Sequence, residues 1–243
     1  MSKKDHSIIM RHVLEVRLKN RQFSFLDYKG ELADYFIKKT GFGKVRLTGD
    51  RIDVVSDDLN KIYFVSLENF GFQLDGSRSF KEFSENTQKF FEIIEEFKKY
   101  DLNNIIRIGT RTSVLYHAKG DSLEGLKQKF KNRMAENSTD LEKAIGQKIN
   151  DVAYTYDLEN NEHKSHLLLG PVMLQEANNR FLGGKKVYES FEKDQGIYYE
   201  IDLYKEISKN IDISEAKRII EENVSSISSG FENFINYFYK NNG

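Results

Sequence analysis

The sequence predicts an α+β protein in which antiparallel strands pack against helices. Three observations carry that reading. Met10, His12, Leu14, Val16 and Leu18 alternate with Arg11, Val13, Glu15 and Arg17, a period-two pattern with one largely apolar face. Ile197, Tyr199, Ile201 and Leu203 alternate in the same way with Tyr198, Glu200, Asp202 and Tyr204. Between these strands lie stretches whose apolar residues recur at three- and four-residue spacing, the mark of amphipathic helices.

Taken in order, the first strand is followed by a helix over 26–39, with Leu32, Ala33, Phe36 and Ile37 on one stripe and Gly41 as its stop. Residues 44–55 and 61–74 read as two strands of a hairpin turning at Asp57-Asp58-Leu59-Asn60. The second of them changes its apolar face between Leu67 and Phe70, which predicts a bulge. Ser79 stands where a cap is needed for a helix whose stripe runs through Phe83, Phe90, Phe91, Ile94 and Phe97. A fourth strand spans 104–117. This order, β-α-β-β-α-β, predicts a ferredoxin-like unit over residues 1–120 with both helices on one face.

Residues 121–243 are expected to form a second unit packed on the first. It opens with a helix through Leu123, Leu126, Phe130 and Met134, and Asn137-Ser138-Thr139-Asp140 caps a shorter helix through Leu141 and Ile145. An antiparallel meander of three strands follows, over 152–158, 164–175 and 197–204. Gly183-Gly184-Lys185-Lys186 reads as an exposed loop. A long helix over 214–239 closes the chain, with a stripe of Ile220, Val224, Ile227, Phe231, Phe234, Ile235 and Phe238.

Composition narrows the function classes. The 243 residues are 39% hydrophobic and 31% charged, with 18 Phe and 13 Tyr, and the net charge is −1. Such a chain buries a core and does not resemble a disordered one. With no cysteine, it has no disulfides, no cysteine-ligated metal and no thiol nucleophile. The N-terminus shows no signal-peptide core, and the longest apolar run, 167–174, is far below the ~20 residues of a membrane span, so a cytoplasmic protein is expected. The sequons at Asn137 and Asn223 then have no bearing. Residues 1–120 carry 21 Lys and Arg against 17 Asp and Glu, a bias weaker than nucleic-acid binding usually requires.

Four constellations could bear chemistry. Gly41-Phe42-Gly43-Lys44 follows a helix rather than a strand and lacks P-loop spacing, so it reads as a helix stop and turn. His163 and His166 are three residues apart, with Asp157, Glu159 and Glu162 nearby. Strand positions i and i+3 face opposite ways, so the two imidazoles could share a metal only in a turn. Glu200 and Asp202 share a strand face between Tyr198 and Tyr204, as acid–base or metal-assisted hydrolysis would need, and as a solvated face also provides. In Arg107-Ile108-Gly109-Thr110-Arg111, two guanidiniums flank a glycine on one face. That arrangement could cradle a phosphate or carboxylate, or pair with neighbouring acidic residues.

The strand Ile105-Ile106-Arg107-Ile108-Gly109-Thr110-Arg111 resembles the central signature of a sporadically distributed family of bacterial proteins of similar length. That signature reads Ile-Gly-Leu-Arg-Tyr-x-Asn. Ile108, Gly109 and Arg111 match, while Thr112 and Val114 replace the usual aromatic and Asn. Phe231-Glu232-Asn233-Phe234-Ile235-Asn236 is similar to the family's closing helix. The resemblance implies membership of patchily inherited bacterial gene sets, some tied to defence against phage, and carries no enzymatic activity with it.

Three function classes follow. The first is a non-enzymatic accessory protein acting through a protein partner or as a homo-oligomer, in an anti-phage setting, with no cofactor and no membrane contact. The second is a sensor of a nucleotide or phosphate held by Arg107, Gly109 and Arg111. The third is a metal-dependent hydrolase or nuclease built on Glu200, Asp202 and a histidine. A nucleic-acid platform on the sheet is left without a supporting motif.

Overall fold

The structure is a computed structural model and describes residues 8–134, 138–160, 162–181 and 194–240. Its strands are β1 (Ile8–Leu18), β2 (Lys44–Leu47), β3 (Arg51–Val55), β4 (Lys61–Ser66), β5 (Asn69–Ser77), β6 (Ile105–His117), β7 (Tyr154–Glu159), β8 (Lys164–Met173) and β9 (Gln195–Glu206). They form a single antiparallel sheet in the order β2-β3-β4-β5-β1-β6-β9-β8-β7. The helices are α1 (Phe25–Thr40), α2 (Phe80–Phe97), α3 (Leu123–Met134), α4 (Ser138–Ile145), α5 (Leu174–Phe181) and α6 (Ile213–Tyr239). The α+β class, the antiparallel sheet and the long closing helix are as the sequence predicts. Among the described residues, no helix is long and apolar enough to cross a membrane.

β1 and β6 lie at the middle of the sheet. They pair from Ile8 opposite Tyr116 to Arg17 opposite Arg107, and β9 then pairs along the far side of β6. The alternation of β1 does what its pattern demands. Met10, His12, Leu14, Val16 and Leu18 are buried under helices, while Arg11, Val13, Glu15 and Arg17 turn to the other face. The main core joins Leu14, Val16 and Leu18 to the stripes of α1 and α2 and the first half of α6. A second cluster joins Val114, Ile197 and Tyr199 to α3 and the second half of α6. On the opposite face, among the described residues, α5 alone makes a core, setting Leu174 and Ala177 on Ile9, Leu115 and Tyr198.

Local signals place the helix ends. Gly41 adopts φ +72°, a left-handed conformation cheap only for glycine, and its N–H bonds the Ile37 carbonyl at 2.8 Å. Ser79 Oγ accepts from the Glu82 N–H at 3.3 Å, and the Asp212 carboxylate accepts from the Glu215 N–H at 2.8 Å. Gly41 to Lys44 is thus a helix stop leading into β2.

Four expectations need correction. The run 44–55 is two strands, because Thr48-Gly49-Asp50 makes a hairpin turn closed by the Thr48 N–H on the Arg51 carbonyl. The face change near Leu67 is also a hairpin turn and not a bulge, so β4 and β5 are separate strands. The first 120 residues therefore supply six strands where four were expected, with α1 and α2 still on one face. The run 164–175 ends at Met173, where the chain turns into α5. The Gly183 to Lys186 loop and Asn137 lie outside the described residues, and Asn223 is fully buried on α6.

His12 is a core residue. Its ring stacks on Phe83 at 4.7 Å, meets Phe80 edge-on at 5.6 Å, and shares a 2.9 Å hydrogen bond between Nδ1 and Thr112 Oγ1. Burial pushes its pKa down to about 3, so the folded protein holds it neutral. The unfolded chain takes up that proton at about 6.5, so acid favours unfolding. Denaturant titrations should therefore show about 2 kcal/mol less stability at pH 5 than at pH 7 from this residue, a difference that the double variant His12→Leu/Thr112→Val should lack.

Candidate functional site

The face of the sheet away from α1, α2, α3 and α6 carries most of its polar side chains in pairs. Arg11 Nε lies 2.7 Å from Asp75 Oδ1, directly across the β1–β5 ladder, and Gln73 Nε2 donates to the same carboxylate. Arg17 grips Glu15 with two contacts of 2.7 and 3.3 Å, and Arg51 holds Asp53 at 2.6 Å. Glu200 accepts from Ser113 Oγ at 2.5 Å and from the Tyr198 hydroxyl at 2.6 Å.

Near the centre the pattern opens into a cleft of about 220 Å³ lined by Val13, Glu15, Arg17, Arg107, Gly109, Arg111 and Asp202. Adjacent strands β1, β6 and β9 supply all of them. Gly109 forms the floor, opposite Glu15 on one side and Tyr204 on the other. The Arg107 guanidinium stacks on the Tyr204 ring at 4.0 Å and reaches Asp202 only at 4.0 Å, and its Nε is buried with no hydrogen-bond partner. Arg111 is exposed and has no hydrogen bond or ion pair among the described residues, although Asp202 is its direct cross-strand neighbour. Burial raises the Asp202 pKa, against the opposing pull of Arg107 and Arg111.

The glycine at the floor is informative. Gly71 is forced by packing, because a Cβ there would sit 1.9 Å from the Leu14 carbonyl oxygen. A Cβ on Gly109 would find only ordinary contacts, at 3.7 Å to Tyr204 Cβ and 4.0 Å to Asp202 Oδ1. Neither backbone conformation nor close approach demands a glycine at 109, and a central strand is weakened by having one. The space it leaves belongs to the cleft.

The three residues predicted from the sequence as an anion cradle, Arg107, Gly109 and Arg111, are thus brought together. Glu15, Arg17 and Val13 were not foreseen there, and Asp202 was foreseen in another role. Of the remaining candidates, His166 on β8 stands directly across the ladder from Asp202. His166 Nδ1 lies 2.8 Å from Asp157 at the far edge of the sheet. His163 precedes β8, on the turn. Its half-buried ring has a lowered pKa, from desolvation first and from Lys205 second. Glu200 is held by Ser113 and Tyr198. Among the described residues, no group of three or more His, Asp or Glu converges as a metal would require.

No family model matches the sequence, and no curated protein is similar to it. Among solved structures, Methanococcus jannaschii TBP aligns over 92% of this chain and 99% of that chain, at 11% identity and a TM-score of 0.32. At that score the likeness carries no argument about this chain.

The two glycines give a direct check of the floor. Gly71→Ala should lower stability by about 2 kcal/mol or more, since a carbonyl must move. Gly109→Ala should leave the melting temperature within about 2 °C of the parent. A collapse of the Gly109 variant would show that packing, and not the cleft, requires that glycine.

Proposed function

We propose that this chain is a non-enzymatic binding protein that recognises an anionic group in the cleft on the open face of its sheet. The observation that carries the reading is Arg111, an exposed guanidinium with no hydrogen bond or ion pair among the described residues, which stands beside the glycine floor and across from the stacked Arg107. Arginine presents a permanent charge and a planar fork of donors to a carboxylate or phosphate. Stacking on Tyr204 fixes the plane of Arg107 in advance, which lowers the entropy lost on binding.

The volume of the cleft, about 220 Å³, suits a small anion better than a protein segment or a nucleotide. The surrounding face supports the same choice. Its arginines at 11, 17 and 51 are neutralised by Asp75, Glu15 and Asp53, so it offers no basic track for a phosphate backbone. Hydrolysis finds less support, because Glu200 and Asp202 engage different partners and His166, directly across the β8–β9 ladder from Asp202, has its Nδ1 on Asp157.

Acetate and inorganic phosphate serve as probes, followed by amide chemical shifts of the labelled protein. Shifts centred on residues 107–111 are expected in the parent. Arg111→Ala should weaken that response at least about tenfold, the worth of one charge-assisted hydrogen bond, with the melting temperature nearly unchanged. If both probes leave these amides unmoved, the cleft is not an anion site. If Arg111→Ala melts far below the parent, the side chain is structural.

A further inference from the structure

The cleft on the open face holds acceptors as well as donors, and the acceptors decide which anion fits. Glu15 is already used, because its carboxylate takes both Arg17 contacts and the Asn69 Nδ2 donor at 3.2 Å. Glu200, two residues before Asp202 on the same face of β9, is occupied by Ser113 and Tyr198. His166, across the β8–β9 ladder, has its Nδ1 on Asp157. The Asp202 carboxylate is different. Its one ion-pair contact among the described residues, with Arg107, is 4.0 Å long, which is beyond hydrogen-bond reach.

A ligand in the cleft must meet that carboxylate. Asp202 Oδ1 lies 4.0 Å from where a Cβ on Gly109 would stand, and the lining of about 220 Å³ sets Arg107, Arg111 and Asp202 around one small space. An ionised carboxylate offers acceptors alone. Sulfate also has only acceptors, so it would face Asp202 lone pair to lone pair unless a proton were first taken from solvent. An anion that carries an acidic proton supplies the missing donor itself. The desolvation that raises the Asp202 pKa favours such a shared proton, which partly offsets the charge on the carboxylate.

We propose that the cleft selects hydrogen phosphate, with its anionic oxygens on Arg107 and Arg111 and its P–OH donating to the Asp202 carboxylate. This rests on the anion-site reading and deepens it by naming the ligand and the residue that chooses it. Free phosphate keeps at least one proton at neutral pH, whereas a phosphodiester has none and a monoester has largely lost its last one there. The class is therefore inorganic phosphate and not a phosphorylated chain, a lipid or a nucleic-acid backbone. Arginine forks suit the tetrahedral oxygens, and the space left by Gly109 gives the group room above the sheet.

Calorimetric titration with inorganic phosphate and with sulfate tests this. At about pH 8 both are tetrahedral dianions of similar size, and they differ in the one proton that phosphate retains. The parent protein should bind phosphate at least about tenfold more tightly than sulfate, the effect of leaving one desolvated acceptor unpaired. Asp202→Asn is nearly isosteric and its amide can donate to either anion, so sulfate should gain and the preference should disappear. Asp202→Ser, smaller and also uncharged, should erase the preference as well and serves if the Asn variant folds poorly. Equal binding by the parent, or tighter binding of sulfate, overturns the selection of hydrogen phosphate while leaving the anion site in place. Binding of neither anion overturns both readings. A preference that persists in either folded variant shows that the proton is received elsewhere, and the assignment to Asp202 fails.

Discussion

Backbone pairing between β1 and β6 is the constraint on which the rest of the molecule depends. The two strands are separated by more than eighty residues, yet they run opposed from Ile8–Tyr116 to Arg17–Arg107 without a break in register. That register fixes parity across the middle of the sheet. Even-numbered residues of both strands face the helices, where His12 bonds Thr112 and Leu14 and Val16 are sealed. Odd-numbered residues face away and bring Glu15, Arg17, Arg107, Gly109 and Arg111 side by side. A slip of one residue would send the apolar set to solvent and the arginines into the core, so hydrophobic burial holds the cleft in place from behind.

The consequence is a sheet with two unlike faces. One is covered by α1, α2, α3 and α6 and excludes water over almost its whole length. Among the described residues, the other is covered only near Ile9, Leu115 and Tyr198, by α5. Charged side chains on that open face are mostly settled by a partner on their own or the next strand. Arg11 meets Asp75 across the β1–β5 ladder, while Arg17 with Glu15 and Arg51 with Asp53 pair two residues apart along one strand. Partly exposed pairs of this kind add little stability. They do hold neighbouring side chains in fixed rotamers, and the wall of the cleft is made in that way.

Much of this was legible in the sequence, and the failures have physical causes. β1, α1, α2 and α6 were readable because each has a single dry face and a long enough run to show its period. The turns at Thr48-Gly49-Asp50 and at Leu67-Glu68 were hidden inside runs of strand-forming residues, and a reversal of apolar face looks the same for a bulge and for a tight hairpin. α5 escaped because eight residues with Leu174 and Ala177 inward give too little periodicity to separate from the apolar end of β8. At the site, Arg107, Gly109 and Arg111 share a face by simple alternation on one strand. Their neighbours come from β1 and β9, about ninety residues before and after, so no spacing rule could have named Glu15, Arg17 or Asp202 as lining residues.

Several groups in this protein are unsatisfied, and the difference among them separates packing from recognition. His12 Nε2 lacks a hydrogen-bond partner among the described residues inside the closed core, where an aromatic stack fixes the side chain and no ligand can enter. The cleft collects three departures from what stability alone would select: a glycine in a central strand that neither torsion nor contact requires, a guanidinium with a buried and unbonded Nε, and a carboxylate raised in pKa by desolvation. A β-branched residue at 109 and neutral residues at 107 and 202 would suit an antiparallel sheet better. Natural sequences tend to break such local rules where function requires it. Here the three breaks fall within one short stretch of the β6–β9 ladder, from Arg107 through Gly109 to Asp202 opposite Arg111, and all line one cleft. That convergence, more than any one of the three, distinguishes a binding site from a charged surface.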